Sequence, residues 1–425
     1  ILNHSLFKSS LIYTLCDALN KSVPFFILPI LSYYLLPSDY GIIANFGVVL
    51  SIVCIFIMIG VDGAMGVQFF KLSKEQLAKY NFNAFILICC ITILSIIFFL
   101  LFHNKVYEWV KLPLPYQLLI SIMAFTTTIT ALNLSLWRLE EQPFKFGIYE
   151  ISQTIFNIGI SLILVIIYNQ GWVGRVSGMF LASVAFGLYS LILLFKRGYL
   201  KINFNITYLK HALFFGAPLI PHALSFWVRS SIDRVYITQF EGESATGLYA
   251  TGFQFGLLIS FITLSFNNAF VPYLFKKLGE KKTSKYIETK EKLVKLTYII
   301  AFGLIILAVI FSLFSYFALD VLFSDNYVNA KKFIVWAIAA QTFQGFYLLF
   351  VNYIFYANKT RFLAIITFGC SCIQLILSYI LIRNFGAIGG AYSTVIVSFV
   401  NFIAVALYSN KVFPMPWLNF LFIRN

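Results

Sequence analysis

Three ionisable side chains, Arg229, Asp233 and Arg234, lie inside a segment that is otherwise apolar from about residue 212 to residue 238. An ionised group within a bilayer costs a few kcal/mol even on lenient insertion scales, so such residues face a bundle interior or a wet cavity and are candidates for function. Arg229 and Asp233 stand four residues apart on one helical face and can partly neutralise each other. Arg234 is rotated away from that pair. Two readings follow: a local salt bridge with Arg234 snorkelling to the headgroups, or a cationic site for an anionic ligand. In the first apolar run Asp17 and Lys21 are also four apart, with the acid before the base, and Lys21 falls roughly 15 Å from the inner end at about 1.5 Å per residue. Asp62 reads either as a proton or sodium site or as a polar group packed against Ser or backbone, and His222 as a core histidine or a proton relay. Asp62, Asp17, Asp233 and His222 are therefore the ion-coupling candidates, with Glu150 nearer the inner end of its run. Pro24 and Pro29 in the first run, and Pro218 and Pro221 ahead of the arginines, remove backbone donors and bend helices. They read either as kinks that shape a bundle or as gating hinges.

The elements that position these residues follow from composition. Of 425 residues 60% are hydrophobic and only 11% are charged, against roughly 25% charged in soluble domains. Runs of about 20 apolar residues span a bilayer as helices, and twelve are present: near 11–36, 41–69, 82–102, 116–137, 146–168, 174–195, 212–238, 245–275, 296–318, 333–357, 362–382 and 388–409. The net charge of +15 does not indicate a nucleic-acid partner, because the basic residues sit in short loops between spans. Twenty-two of the 31 fall on one side, six, Arg175 among them, in loops on the outer side, and Lys21, Arg229 and Arg234 within the membrane. That bias places both termini in the cytoplasm. The six cysteines all lie in apolar runs without zinc-type spacing and read as reduced core residues. No Gly-x-x-x-x-Gly-Lys-[Ser/Thr] loop, metal-spaced cluster or Ser/His/Asp set is present, so no cofactor is expected and the chain does not read as an enzyme.

The sequence also repeats itself. A shift of 206 places Tyr40–Phe46 on Thr246–Gly252, and a shift of 215 places Asn169–Arg175 on Asn384–Gly390, aligning Gly171 and Gly174 with Gly386 and Gly389. Six spans per copy give the two copies the same orientation, as in transporters with parallel repeats. The expected organisation is an all-α membrane protein of two parallel six-helix bundles, 1–195 and 212–409, around a central cleft. A cytoplasmic linker (196–211) and tail (410–425) complete it.

Twelve spans in parallel halves, Asp233-Arg234 followed by Gly242 to Tyr249, Leu35 to Gly41 at the matching place in the first half, and the two Gly-x-x-Gly turns together resemble the polysaccharide flippases of the Wzx type. These belong to the MOP superfamily, with the MATE exporters and the peptidoglycan-precursor flippases as cousins. The resemblance covers nearly the whole chain. It implies translocation of an undecaprenyl-pyrophosphate-linked oligosaccharide, such as an O-antigen repeat, across the bacterial cytoplasmic membrane by alternating access with H+ or Na+ coupling. Membrane lipid, a glycan polymerase and chain-length proteins are the partners it implies. A pyrophosphate crosses a bilayer only where cations meet it, and the planar donor fork of arginine suits phosphate. Lys21, Arg229 and Arg234 are the expected pyrophosphate-binding residues. The alternatives are a MATE-like exporter of organic cations, which should line its cavity with carboxylates, and a polymerase or glycosyltransferase of lipid-linked glycans, which needs larger external loops.

Overall fold

Apolar runs of this length can satisfy their backbone polar groups in lipid only as helices or closed barrels, and this chain adopts helices. The computed structural model describes residues 13, 16, 25–279 and 286–417, with no strand among them. Asp17, Lys21 and Pro24 lie outside the described residues. Ten helices among those described are long and apolar enough to cross a membrane. One of them, Ile206–Gly279, covers 74 residues and is two crossings divided at Gly242, where φ is 84° and ψ −178°. With that division, and with the first predicted run helical over residues 25–32, the fold is the twelve-helix, all-α membrane fold expected.

Polar residues set the helix ends where the chain leaves the bilayer. Pro37 begins Pro37–Met58, and the Asp39 carboxylate accepts from the Leu36 amide at 3.0 Å, which satisfies a donor that the first turn leaves orphaned. Ser73 and Gln76 form a reciprocal capping box at the start of Lys74–Val110. Asn205 accepts from the Thr207 amide at 2.9 Å and opens Ile206–Gly216, so this helix begins inside the predicted 196–211 linker.

The chain divides into two compact units, Ile1–Gly247 and Leu248–Asn425. In the first, Leu114–Leu139 packs on Gly171–Lys196, which also packs on Pro143–Leu162, and Lys74–Val110 packs on Leu114–Leu139. In the second, Lys331–Tyr356 packs on Ala387–Val412, which also packs on Thr360–Phe385, and Tyr286–Leu322 packs on Lys331–Tyr356. The same three pairings recur in the same chain order. The division at Gly247 groups the seventh span with the first six because that span is tied to Pro37–Met58: Trp227 Nε1 donates to the Val48 carbonyl at 3.0 Å, and Asn45 Nδ2 donates to Thr238 Oγ1 at 2.8 Å.

Glycine allows two backbone segments of the first unit to touch. A Cβ on Gly41 would lie 1.8 Å from the Glu243 carbonyl oxygen, and one on Gly247 would lie 1.8 Å from the Pro37 carbonyl oxygen. The repeat shift of 206 turns Pro37 and Gly41 into positions 243 and 247, so the contact is reciprocal. The Gly-x-x-Gly turns behave alike in each unit: Gly171 and Gly386 adopt positive φ of 55° and 69°, and Gly174 and Gly389 sit against the backbone of Leu164 and Leu381.

The second span departs from expectation. It is not continuous over 41–69 but breaks at Ile59 (φ 38°) and Gly60 (φ 65°), giving Pro37–Met58 and Val61–Phe69. The cause is a backbone crossing, since a Cβ on Gly216 would lie 1.6 Å from the Ile59 carbonyl oxygen. On the other side of that crossing the chain passes through a 3-10 turn, Ala217–Leu219.

Candidate functional site

Arg229, Asp233 and Arg234 occupy one uninterrupted helical stretch between Ile220 and the Gly242 break, so the i, i+4 relation of Arg229 and Asp233 holds. Asp233 is only 5% exposed, and both arginines are half-buried. Arg234 Nε is buried without a hydrogen-bond partner among the described residues. A guanidinium donor left in that condition has a strong drive to acquire an acceptor. Beside this stretch, an apolar cavity of about 790 Å³ is lined by Phe56, Phe98, Phe99, Trp109, Trp227 and Ile232 among others.

The hinge candidates lie at the other end of the same span. Pro218 falls within the 3-10 turn, and Pro221 is the second residue of the helix that follows, where a missing amide costs nothing. Ser225 Oγ donates to the Pro221 carbonyl at 2.9 Å. Pro218 and Pro221 thus mark a tightened turn at the start of the span. Pro29 sits inside the helical run 25–32, with Ser32 Oγ donating to its carbonyl at 2.6 Å. His222 is exposed, with its ring edge-on to Phe226 at 5.0 Å. Asp62 is exposed in the first turn of Val61–Phe69, where a helix N-terminus favours negative charge. Its neighbour Gly63 faces the Phe215 ring. Phe215 precedes Arg229 by fourteen residues, roughly 20 Å of helix, so Asp62 and the arginines belong to separate places along the span.

Two polar assemblies were not legible as sites in the sequence. Arg175, expected in an outer loop, lies in the first turns of Gly171–Lys196 and turns inward, donating to Asn157 Oδ1 at 2.7 Å and Ser161 Oγ at 2.6 Å. Gly178 permits this, because a Cβ there would lie 2.3 Å from Ser161 Oγ. The second assembly joins Glu140 to Arg197 and Tyr199. Arg197 donates to Glu140 Oε2 at 2.5 Å and to Asn133 Oδ1 at 2.6 Å, and the Tyr199 hydroxyl donates to Glu140 Oε1 at 2.5 Å. The guanidinium also stacks on Trp137 and Tyr199, each ring centroid 5.1 Å away. Burial, reinforced by the Glu140 carboxylate, pushes the Tyr199 phenol up to about 12, so it remains a donor across the working pH range. Glu140→Gln is expected to lower the thermal midpoint of the detergent-solubilised protein by several degrees. It withdraws the charge opposing a largely buried guanidinium, worth about 1–3 kcal/mol; an unchanged midpoint would show the network to be idle.

A more exposed clamp joins Lys79 and Lys201 to Glu75 at 3.1 and 2.7 Å. Hydrogen bonds from Lys201 and then Lys79 hold the Glu75 carboxyl below its usual range. A carboxylate with a depressed folded-state pKa contributes stability above its unfolded pKa, and that contribution is lost as pH falls through the folded value. The clamp is therefore intact at neutral pH and released only in acid. Comparing wild type with Glu75→Gln, the stability difference should be small at neutral pH, constant down to about pH 5, and then shrink as Glu75 protonates.

The helices define a polytopic all-α membrane protein, and comparison with known proteins agrees. The model of the polysaccharide biosynthesis protein family matches residues 6–277, and that of the MatE family matches residues 218–380. The chain belongs to the polysaccharide biosynthesis protein family. An uncharacterized membrane protein of Haemophilus influenzae is 27% identical over 398 residues, covering 92% of each chain. Among solved structures, an inward-facing multidrug resistance MATE family transporter of the MOP superfamily superposes with a TM-score of 0.72 at 16% identity, covering 92% of this chain and 95% of that one. The lipid II flippase MurJ in an inward closed conformation gives 0.70 at 17% identity, covering 98% and 88%. The fold is shared with these MATE and MurJ structures.

Proposed function

We propose that the protein is a flippase of the Wzx type, moving an undecaprenyl-pyrophosphate-linked oligosaccharide from the cytoplasmic to the periplasmic leaflet of the bacterial inner membrane. The observation that carries this reading is the buried, unpartnered Nε of Arg234 on the same helix as Arg229, in a chain of the polysaccharide biosynthesis family. Arginines held at membrane depth supply the paired donors that a diphosphate requires as it leaves water. Lys21 is proposed as the third cation. The apolar cavity beside Trp227 offers a berth for a prenyl segment, and a cation exporter has no comparable use for the buried guanidinium donor of Arg234. Alternating access would proceed about the Pro29, Pro218 and Pro221 region, with Pro24 as the fourth hinge, in a protein whose two termini are cytoplasmic. Deletion of the chain should make lipid-linked repeat units accumulate on the cytoplasmic side, and complementation should clear them. Unchanged surface glycan in the deletion strain would exclude this function.

Coupling to H+ or Na+ is proposed to run through Asp62, with Asp17, Asp233 and His222 as further candidates. Asp62 stands at a helix break, where an exposed carboxylate can exchange its counter-ion. In reconstituted vesicles Asp62→Asn should cut the stimulation of translocation by an imposed pH or sodium gradient by about tenfold. A fully gradient-responsive Asp62→Asn protein would remove Asp62 from the mechanism.

A further inference from the structure

A second cavity, of about 700 Å³, opens in the first unit where its basic loops gather. It is formed by the ends of Leu114–Leu139 and Gly171–Lys196, the start of Pro143–Leu162, and Lys74. Its walls are aromatic: Trp137, Tyr149, Phe186, Tyr189 and Tyr199. The fixed part is rigidly held. Tyr149 Oη donates to the Phe186 carbonyl at 2.5 Å and lies 2.5 Å from Ser190 Oγ, and Arg197 is held by Glu140 and Asn133 as described. Three cations and one carboxylate line the space, namely Lys74, Lys145 and Arg197 against Glu140. Because Glu140 already neutralises Arg197, the surplus of two positive charges belongs to the lysines.

Three features state what would fit. The Lys74 ammonium is 5.2 Å from the centroid of the Tyr199 ring, Lys145 is exposed, and neither lysine is ion-paired among the described residues. Gln142 lines the same cavity, and its Oε1 is buried without a hydrogen-bond partner among the described residues; an amide oxygen in that state calls for a donor. Ile148, 68% exposed, and Leu193 give the cavity an apolar flank. An occupant must therefore bring an anion, a hydroxyl donor and an apolar chain. Tyr and Trp side chains are suited to the headgroup level of a membrane, and basic pockets between spans on this side attract anionic headgroups.

We propose that this cavity binds a membrane lipid with a phosphoglycerol headgroup, its phosphate between Lys74 and Lys145, a glycerol hydroxyl on Gln142 and its acyl chain along Ile148 and Leu193. This site is separate from the arginines of the seventh span and does not depend on the flippase reading.

The test counts bound molecules by native mass spectrometry on the full-length, detergent-solubilised protein titrated with dioleoyl phosphatidylglycerol, dioleoyl phosphatidylcholine or free glycerol phosphate. The K74A/K145A double variant should bind phosphatidylglycerol about tenfold more weakly or worse while binding phosphatidylcholine as wild type does. Gln142→Met should weaken phosphatidylglycerol a few-fold with both lysines in place. Equal retention of phosphatidylglycerol by wild type and the double variant, or an equal loss for both lipids, overturns the site. Free glycerol phosphate displacing the lipid at matching concentrations overturns the lipid assignment in favour of a soluble phosphate ester.

Discussion

Arg229→Ala is expected to abolish surface glycan in a strain that depends on this chain, with the protein still inserted in the membrane at normal abundance. The magnitude follows from what the guanidinium does for a diphosphate. Each charge-assisted hydrogen bond is worth about 1.5–3 kcal/mol, and a bidentate pair withdrawn from a desolvated phosphate removes more than enough for a hundredfold loss of rate, at about 1.4 kcal/mol per factor of ten. Arg234→Ala should act similarly, because its buried Nε is a donor awaiting an acceptor. Lysine at either position restores charge but not the planar fork, so partial rescue is expected. Normal surface glycan from both alanine variants would reassign these arginines to structural neutralisation of Asp233. Quantifying lipid-linked repeat units in each leaflet separates a translocation defect from a folding defect.

The second large effect concerns the glycine contact of the first unit. Gly247→Ala places a methyl 1.8 Å from the Pro37 carbonyl oxygen, and Gly41→Ala places one 1.8 Å from that of Glu243. Neither neighbour is a side chain that can rotate away. The backbones must separate by more than an ångström, at a cost of about 1–3 kcal/mol or more for overpacking. They would take with them the buried chain of hydrogen bonds through Asn45, Thr238 and Thr246, at 2.8 Å and 2.7 Å, that crosses the Gly242 break. Faster amide hydrogen exchange over residues 37–46 and 238–247, and a lower thermal midpoint in detergent, are the expected readouts. Unaltered exchange in both variants would mean that the segments part freely and that the contact restrains nothing.

Most of the architecture was legible because bilayer energetics writes it plainly. Span length follows from a one-dimensional pattern, and so does the repeat, which reappears as the same helix pairings in each unit. Arg229, Asp233 and Arg234 stood out as site candidates because they are charges within an apolar run. Arg175 was missed because it lies one turn inside a helix end, where a hydropathy pattern cannot distinguish a loop cation from one folded inward onto Asn157 and Ser161. Gly60 is a local hint of the break, but the positive φ of Ile59 is not announced locally, because a β-branched residue is a poor candidate for it. That conformation is imposed by the Gly216 crossing, a contact between residues 157 positions apart. Likewise Glu140, Arg197 and Tyr199 look like ordinary loop residues until the fold joins them.

The reciprocity of the Gly41 and Gly247 contacts has a thermodynamic consequence. Two substitutions at unrelated positions add, whereas two that act on one shared gap do not. Once a methyl at position 247 has driven the two segments apart, a second methyl at position 41 meets space already opened. The Gly41→Ala/Gly247→Ala double variant should therefore be destabilised by clearly less than the sum of the single variants, with a coupling of about 0.5–3 kcal/mol. A thermodynamic cycle over four proteins thus reads whether the two turns move as one body, a property that neither single variant can reveal.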